Sequence, residues 1–141
     1  SVVQFADLCG HKILLTADAG REALTEAADF APAVGLQLPG IDRFQVPHHG
    51  SRRNVSTEVL DRWLGERRPN QLLGTANFHA IISSAKADTN NPRKAVVRAM
   101  IHRGGSVVST EGRTICSSHN APPRLGWSSV IPDAYPQDQE E

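Results

Sequence analysis

Two short segments of this 141-residue chain hold side chains suited to chemistry: Thr16-Ala17-Asp18-Ala19-Gly20 and Val46-Pro47-His48-His49-Gly50-Ser51. Each places polar groups directly after a run that reads as a strand. In open α/β sheets, sites form where loops leave the carboxyl ends of neighbouring strands. A carboxylate and an imidazole delivered from two such ends are natural ligands for zinc or manganese. Asp18 has a second reading, as a cap for the helix that follows within a few residues. The His48-His49 pair, set behind a proline, has no evident structural task, and a pair satisfied by water is its plain alternative. Arg52 and Arg53 follow at once, and a guanidinium fork suits the paired oxygens of a phosphate. Arg62, Arg67 and Arg68 read instead as solvated partners of Glu58, Asp61 and Glu66. No aromatic residues interleave with these cations, as they do in single-strand binders.

The elements that must position these groups follow from the apolar pattern. Ser1–Leu8 alternates loosely, Cys9-Gly10-His11 reads as a turn, and Lys12–Thr16 is an apolar run typical of a strand buried on both faces. Ala23, Leu24, Ala27 and Ala28 recur at helical spacing, opposite Glu22, Glu26 and Asp29. Ile41–Val46 is a brief strand. Ser56 opens a second helix whose apolar stripe is Val59, Leu60, Trp63 and Leu64. Ala80–Ser84 is a further buried strand, and Asn91-Pro92 reads as the start of a third helix that ends at Gly104-Gly105. Ser106–Thr110 and Arg113–Ser118, flanking Glu111-Gly112, read as a hairpin. The predicted order is β-β-α-β-α-β-α-β-β, an α/β arrangement.

Composition sets the outer bounds. Fifteen Lys+Arg balance fifteen Asp+Glu, which argues against a histone-like or tail-like polybasic binder and leaves a local basic patch open. Aromatics are only 5% of residues, so the core is to be built from aliphatic side chains. No run approaches the roughly 20 apolar residues of a membrane span, no signal segment opens the chain, and the expectation is a cytoplasmic domain without membrane contact. Two cysteines, Cys9 and Cys116, suit a reducing compartment and read as buried small hydrophobes. His11 reads as a surface residue of a turn. Residues 119–141 form a separate segment with four prolines, where one arginine faces four acids for a net charge of −3. Trp127 and Tyr135 are expected to pin part of it to the 1–118 body.

Ile13-Leu-Leu-Thr-Ala-Asp-Ala-Gly-Arg-Glu22, Val46-Pro-His-His-Gly-Ser51 and Ala80-Ile-Ile-Ser-Ser84, in that order, resemble the metallo-β-lactamase superfamily. The likeness is strongest to the hydrolase domain of ComEC-type competence proteins and their soluble relatives, and it runs from Ser1 to about Ser118. It implies an αββα sandwich of two similar halves. This chain is similar to the second half, with a mixed sheet and helices on one face. By the resemblance, Asp18 matches the carboxylate that bridges two metals, and His49 matches the last histidine ligand, with His48 as the alternative ligand. His48, Ser51, Arg52 and Arg53 are then the groups expected to meet substrate. The implied chemistry is hydrolysis by a metal-bound hydroxide on two zinc or manganese ions.

The departures from the family pattern are equally definite. The His-x-His-x-Asp-His motif and a third upstream histidine are absent. Ala17 stands where the family usually has glycine, and Thr89-Asn90-Asn91-Pro92 stands where it often has Gly-His-Pro. Zinc takes about four ligands, so this chain alone is expected to be inactive. It needs the first half in cis or as a separate chain. The expected substrates are phosphodiesters, in nucleic acid or nucleotides. The alternatives are a non-catalytic binding or regulatory module and a hydrolase of carboxyl esters or amides. An uncovered apolar sheet face is expected to make the isolated chain oligomerise.

Overall fold

Parallel strands must be joined by crossovers, and the three helical segments supply them. The structure, a computed structural model, describes residues 1–70 and 75–138. The strands are β1 (Gln4–Leu8), β2 (His11–Leu15), β3 (Arg43–Gln45), β4 (Phe78–Ile82) and β5 (Gly105–Ser109). They form one mixed sheet in the order β1-β2-β3-β4-β5. β1 and β2 are an antiparallel hairpin, and every later pairing is parallel. The helices α1 (Arg21–Phe30), α2 (Thr57–Leu64) and α3 (Lys94–Ile101) fill the three crossovers. Because the strands advance one step at a time in one direction, crossovers of uniform hand put all three helices on the same face.

The register shows that face. Leu14, Phe44, Ala80 and Val107 lie side by side across β2 to β5, and none is more than 1% exposed. They share one core with Leu24 and Ala28 of α1, Val59, Leu60 and Trp63 of α2, and Val96, Val97 and Met100 of α3. Trp63 Nε1 donates to the Leu24 carbonyl at 3.1 Å, which ties α2 to α1. Burying one aliphatic side chain contributes about 1.5–3 kcal/mol, so this inner face carries the fold. Arg103, only 3% exposed, pairs with Asp61 and donates to the Thr57 and Ala99 carbonyls. That arginine joins α2 to the end of α3.

Several expectations need correction. The strand at Lys12–Thr16 is buried on one face only, since Leu15 on the other face is 44% exposed. Residues 113–118 are not a strand. Arg113 Nε turns back to the Ser109 carbonyl at 2.8 Å, and the β5 carbonyl of Val107 accepts from Asp133 N instead. The chain after β5 thus crosses the outer face of the sheet. Helix α3 starts at Lys94 rather than at Asn91-Pro92, because Asp88 accepts from the backbone N–H of both Asn90 and Asn91 and from the Asn91 side chain. Cys9 and Cys116 are both exposed rather than buried. His11 is the first residue of β2 rather than part of the turn, and its side chain is 10% exposed.

The Ser56 cap is present, with Ser56 Oγ accepting from Val59 N at 3.2 Å. The C-terminal segment is pinned by Tyr135, whose hydroxyl lies 2.8 Å from His102 Nε2 and whose ring lies under Arg98. Trp127 meets Arg124 of its own segment and stays 40% exposed. Among the described residues, no helix is long and apolar enough to cross a membrane.

Candidate metal site at the strand ends

Gln45, the last residue of β3, fastens the two motif loops to the sheet. Its side-chain oxygen accepts from Thr16 N at 3.0 Å and Ala17 N at 3.2 Å, and its carbonyl accepts from Thr16 Oγ1 at 2.6 Å. His48 N then donates to the Ala17 carbonyl at 2.9 Å, so the Asp18 loop and the His48–His49 loop lie against each other. Asn54 Nδ2 donates to the Asp18 and Ala19 carbonyls at 3.3 and 3.1 Å. The two segments singled out by residue type therefore meet at the carboxyl ends of β2 and β3.

The backbone here runs against local preference. Ala17, His48 and His49 have φ of 47°, 46° and 56°, and Gly50 follows at 82°. A left-handed conformation costs an L-residue about 1–2 kcal/mol. Such outliers persist only where surrounding contacts over-determine them, and they cluster at functional sites. Asp18 is exposed and does not cap α1, whose N-cap is Gly20 with no side-chain bond. The helix-cap reading of Asp18 therefore fails, and the residue is left exposed between β2 and α1.

His49 is the better oriented of the two histidines. Its Nδ1 lies 2.7 Å from the Ser83 carbonyl just beyond β4. A carbonyl can only accept, so Nδ1 carries a proton and Nε2 is the ring nitrogen left free of this bond. Fixing one ring nitrogen on a backbone carbonyl is how metal-binding imidazoles are commonly oriented. The His48 ring stands edge-on to His49, with centroids 5.9 Å apart. It lines a shallow pocket of about 370 Å³ together with Ser51, Arg52, Arg53, Asn90 and Arg93. The residues expected to meet substrate thus share one depression, and among the described residues no carboxylate lines it.

Asp88 was not singled out as a site residue by the sequence pattern. Hydrogen bonds from Asn90 and Asn91, with the charge of His49 as a smaller cause, hold its carboxyl below the usual range. Its proximity to His49 follows from the β4–α3 loop folding back over the β3–α2 loop. Gly50 seals that contact, since a Cβ there would stand 2.8 Å from Pro92 Cβ. Among the described residues, no group of three or more His, Cys, Asp or Glu side chains is close enough to hold a metal ion. The donor types at Asp18 and His49 suit a divalent cation, but the set is short of a full shell. No family model, curated protein or solved structure matches the chain.

Proposed function

We propose that this chain is the second half of a metallo-β-lactamase-like, metal-dependent hydrolase acting on phosphodiesters. The observation that supports it most is the convergence of the Asp18 and His48–His49 loops through left-handed residues, with His49 Nδ1 committed to the Ser83 carbonyl. On this reading Asp18 and His49 Nε2 each supply one ligand, with His48 as the alternative to His49. The remaining ligands come from a first half, in the same polypeptide or as a separate chain. When bound, two zinc or manganese ions would supply Lewis-acid polarisation and a more acidic water. The chain's own part is to hold and orient. Ser83 fixes the His49 ring, Asn54 supports the Asp18 loop, and His48, Ser51, Arg52 and Arg53 offer donors and positive charge to a phosphate. In nucleic acid or a nucleotide, the bidentate arginine fork would favour phosphate oxygens over a carboxyl ester.

The test is hydrolysis of bis(p-nitrophenyl) phosphate and of p-nitrophenyl acetate by the assembly of this chain with its first half. Phosphodiester cleavage that falls by about 100-fold or more in both Asp18→Asn and His49→Gln supports the reading. Preferential cleavage of the acetate would make it a carboxyl-ester hydrolase. No metal-dependent cleavage of either substrate would leave a binding module in its place.

A further inference from the structure

Three imidazoles and one guanidinium converge on the outer face of the sheet, on the side away from the helices. His11 opens β2, Arg43 and His79 stand in register on β3 and β4, and His119 arrives on the segment that follows β5. The His11 and His119 rings stack with centroids 4.0 Å apart and planes within 8° of parallel. Arg43 gathers the cluster. Its Nη1 donates to His79 Nδ1 at 2.6 Å, its Nε to Ser117 Oγ at 2.9 Å, and its Nη2 to the Ser118 carbonyl at 3.4 Å. An atom that accepts from a guanidinium must be unprotonated, so this geometry specifies His79 without a proton on Nδ1.

We infer that the cluster is a pH-sensitive fastening, which holds residues 114–130 against the sheet through the His11–His119 stack and the Arg43–His79 bond while His11 and His79 are neutral, and releases them as those two rings protonate. Two stacked imidazolium rings at this separation repel, and a protonated His79 turns from an acceptor for Arg43 into a like charge. The facing groups are His11 on β2, Asp42 and Arg43 at β3, His79 on β4 and His119 on the strap. That is one acid against as many as four cations. Asp42 Oδ2 lies 3.9 Å from His11 Nδ1 and is also bound to Lys12 N at 2.8 Å, so it offsets only part of the repulsion.

Titration runs in the same direction. Burial first, then His119 and Arg43, push the His11 pKa below its usual 6.5, against the opposing pull of Asp42. Burial first, then Arg43 and His11, lower His79 as well. Groups whose folded pKa is lowered in this way favour the neutral form. Their contribution is whole above 6.5 and is lost as pH falls below it. Release would open the cleft of about 720 Å³ that the strap makes over Ile81 and Val108. Anchors at Arg113–Asp133 and His102–Tyr135 hold the two ends of the strap.

The experiment is proton NMR of the full chain, with hydrogen exchange corrected for intrinsic rates, at pH about 7.5 and about 5. The expected result is an inter-ring contact between His11 and His119 that disappears at the lower pH. Opening of residues 114–130 should increase at least about fivefold while the β4 amides keep their protection. His119→Gln should weaken the pH dependence of the strap by removing the stacked pair, His11→Asn should do so independently if the first variant folds poorly, and combining either with His79→Asn should remove the remainder. An inter-ring contact that survives at the lower pH would overturn the inference. So would equal loss of protection in β4, or pH dependence that persists undiminished in either variant.

Discussion

Replacing Gly50 by alanine tests how tightly the His48–His49 loop is locked to the loop that carries Asp88. At φ of +82° the new Cβ would lie 2.8 Å from Pro92 Cβ, 3.1 Å from Pro92 Cα and 3.4 Å from Ile82 Cγ2. The first two atoms belong to a rigid ring and its backbone, and Ile82 is 0% exposed, so none can swing aside. The left-handed backbone costs about 1–2 kcal/mol and the overpacking a further 1–3, roughly. A stiffer unfolded chain returns about 0.4–1 kcal/mol. The net loss is therefore about 1–4.5 kcal/mol, centred on about 3 kcal/mol. With a urea m-value of about 1.5 kcal/mol/M, the central figure lowers the unfolding midpoint by about 2 M. Gly10→Ala is the control, since its φ is +88° with nothing within 4 Å of the new Cβ. It carries the backbone cost alone, about 1 kcal/mol. Equal losses in the two variants would refute the claim that Pro92 clamps the histidine loop.

Three further outcomes are expected. Asp61→Asn strips the buried Arg103 of its counter-charge but leaves the Thr57 and Ala99 carbonyls as acceptors. With Asp61 itself 32% exposed, thermal or urea unfolding should show a loss of about 2 kcal/mol, below the full figure for a fully buried pair. Ser56→Ala removes the cap on Val59 N, and the same measurement should lose about 1 kcal/mol with no effect at the strand ends. The Asp88 carboxyl is lowered by its Asn90 and Asn91 bonds, so the turn it supports is stabilised above pH 3.8 and lets go only as pH falls further. Asn90 and Asn91 amide shifts in an acid titration should therefore move below that value, and movement centred above it would contradict the assignment.

How much of this was readable in the chain depends on the range of the forces involved. The strand-end loops were legible because Thr16–Gly20 and Val46–Ser51 sit at the ends of apolar runs, and strand ends gather sites in any parallel sheet. Ser56 was legible because capping is a local hydrogen bond. The left-handed backbone at Ala17, His48 and His49 was not, since no local preference favours it and only the packing of β2, β3 and the β4–α3 loop enforces it. Asp88 looked like ordinary loop chemistry until its loop folded over His49. His11 was misread for a similar reason: its burial comes from His119, more than a hundred residues away in sequence. The hairpin expected at 113–118 followed from a sound turn at Glu111-Gly112. What diverted the chain was Arg113 binding Ser109, Ile131 and Asp133, together with Arg43 capturing Ser117 and Ser118. The cysteines are exposed because Cys9 lies in the β1–β2 turn and Cys116 on the strap.

Paramagnetic broadening by manganese tests the strand-end site most directly. With only part of a ligand set on this chain, Mn²⁺ should bind weakly, in the range of about 0.1–1 mM. Amides of residues 16–20 and 46–51 should broaden first, and Asp18→Asn and His49→Gln should each abolish the effect. Broadening that begins elsewhere, or that persists at these loops in both variants, would contradict a cation site formed by Asp18 and His49.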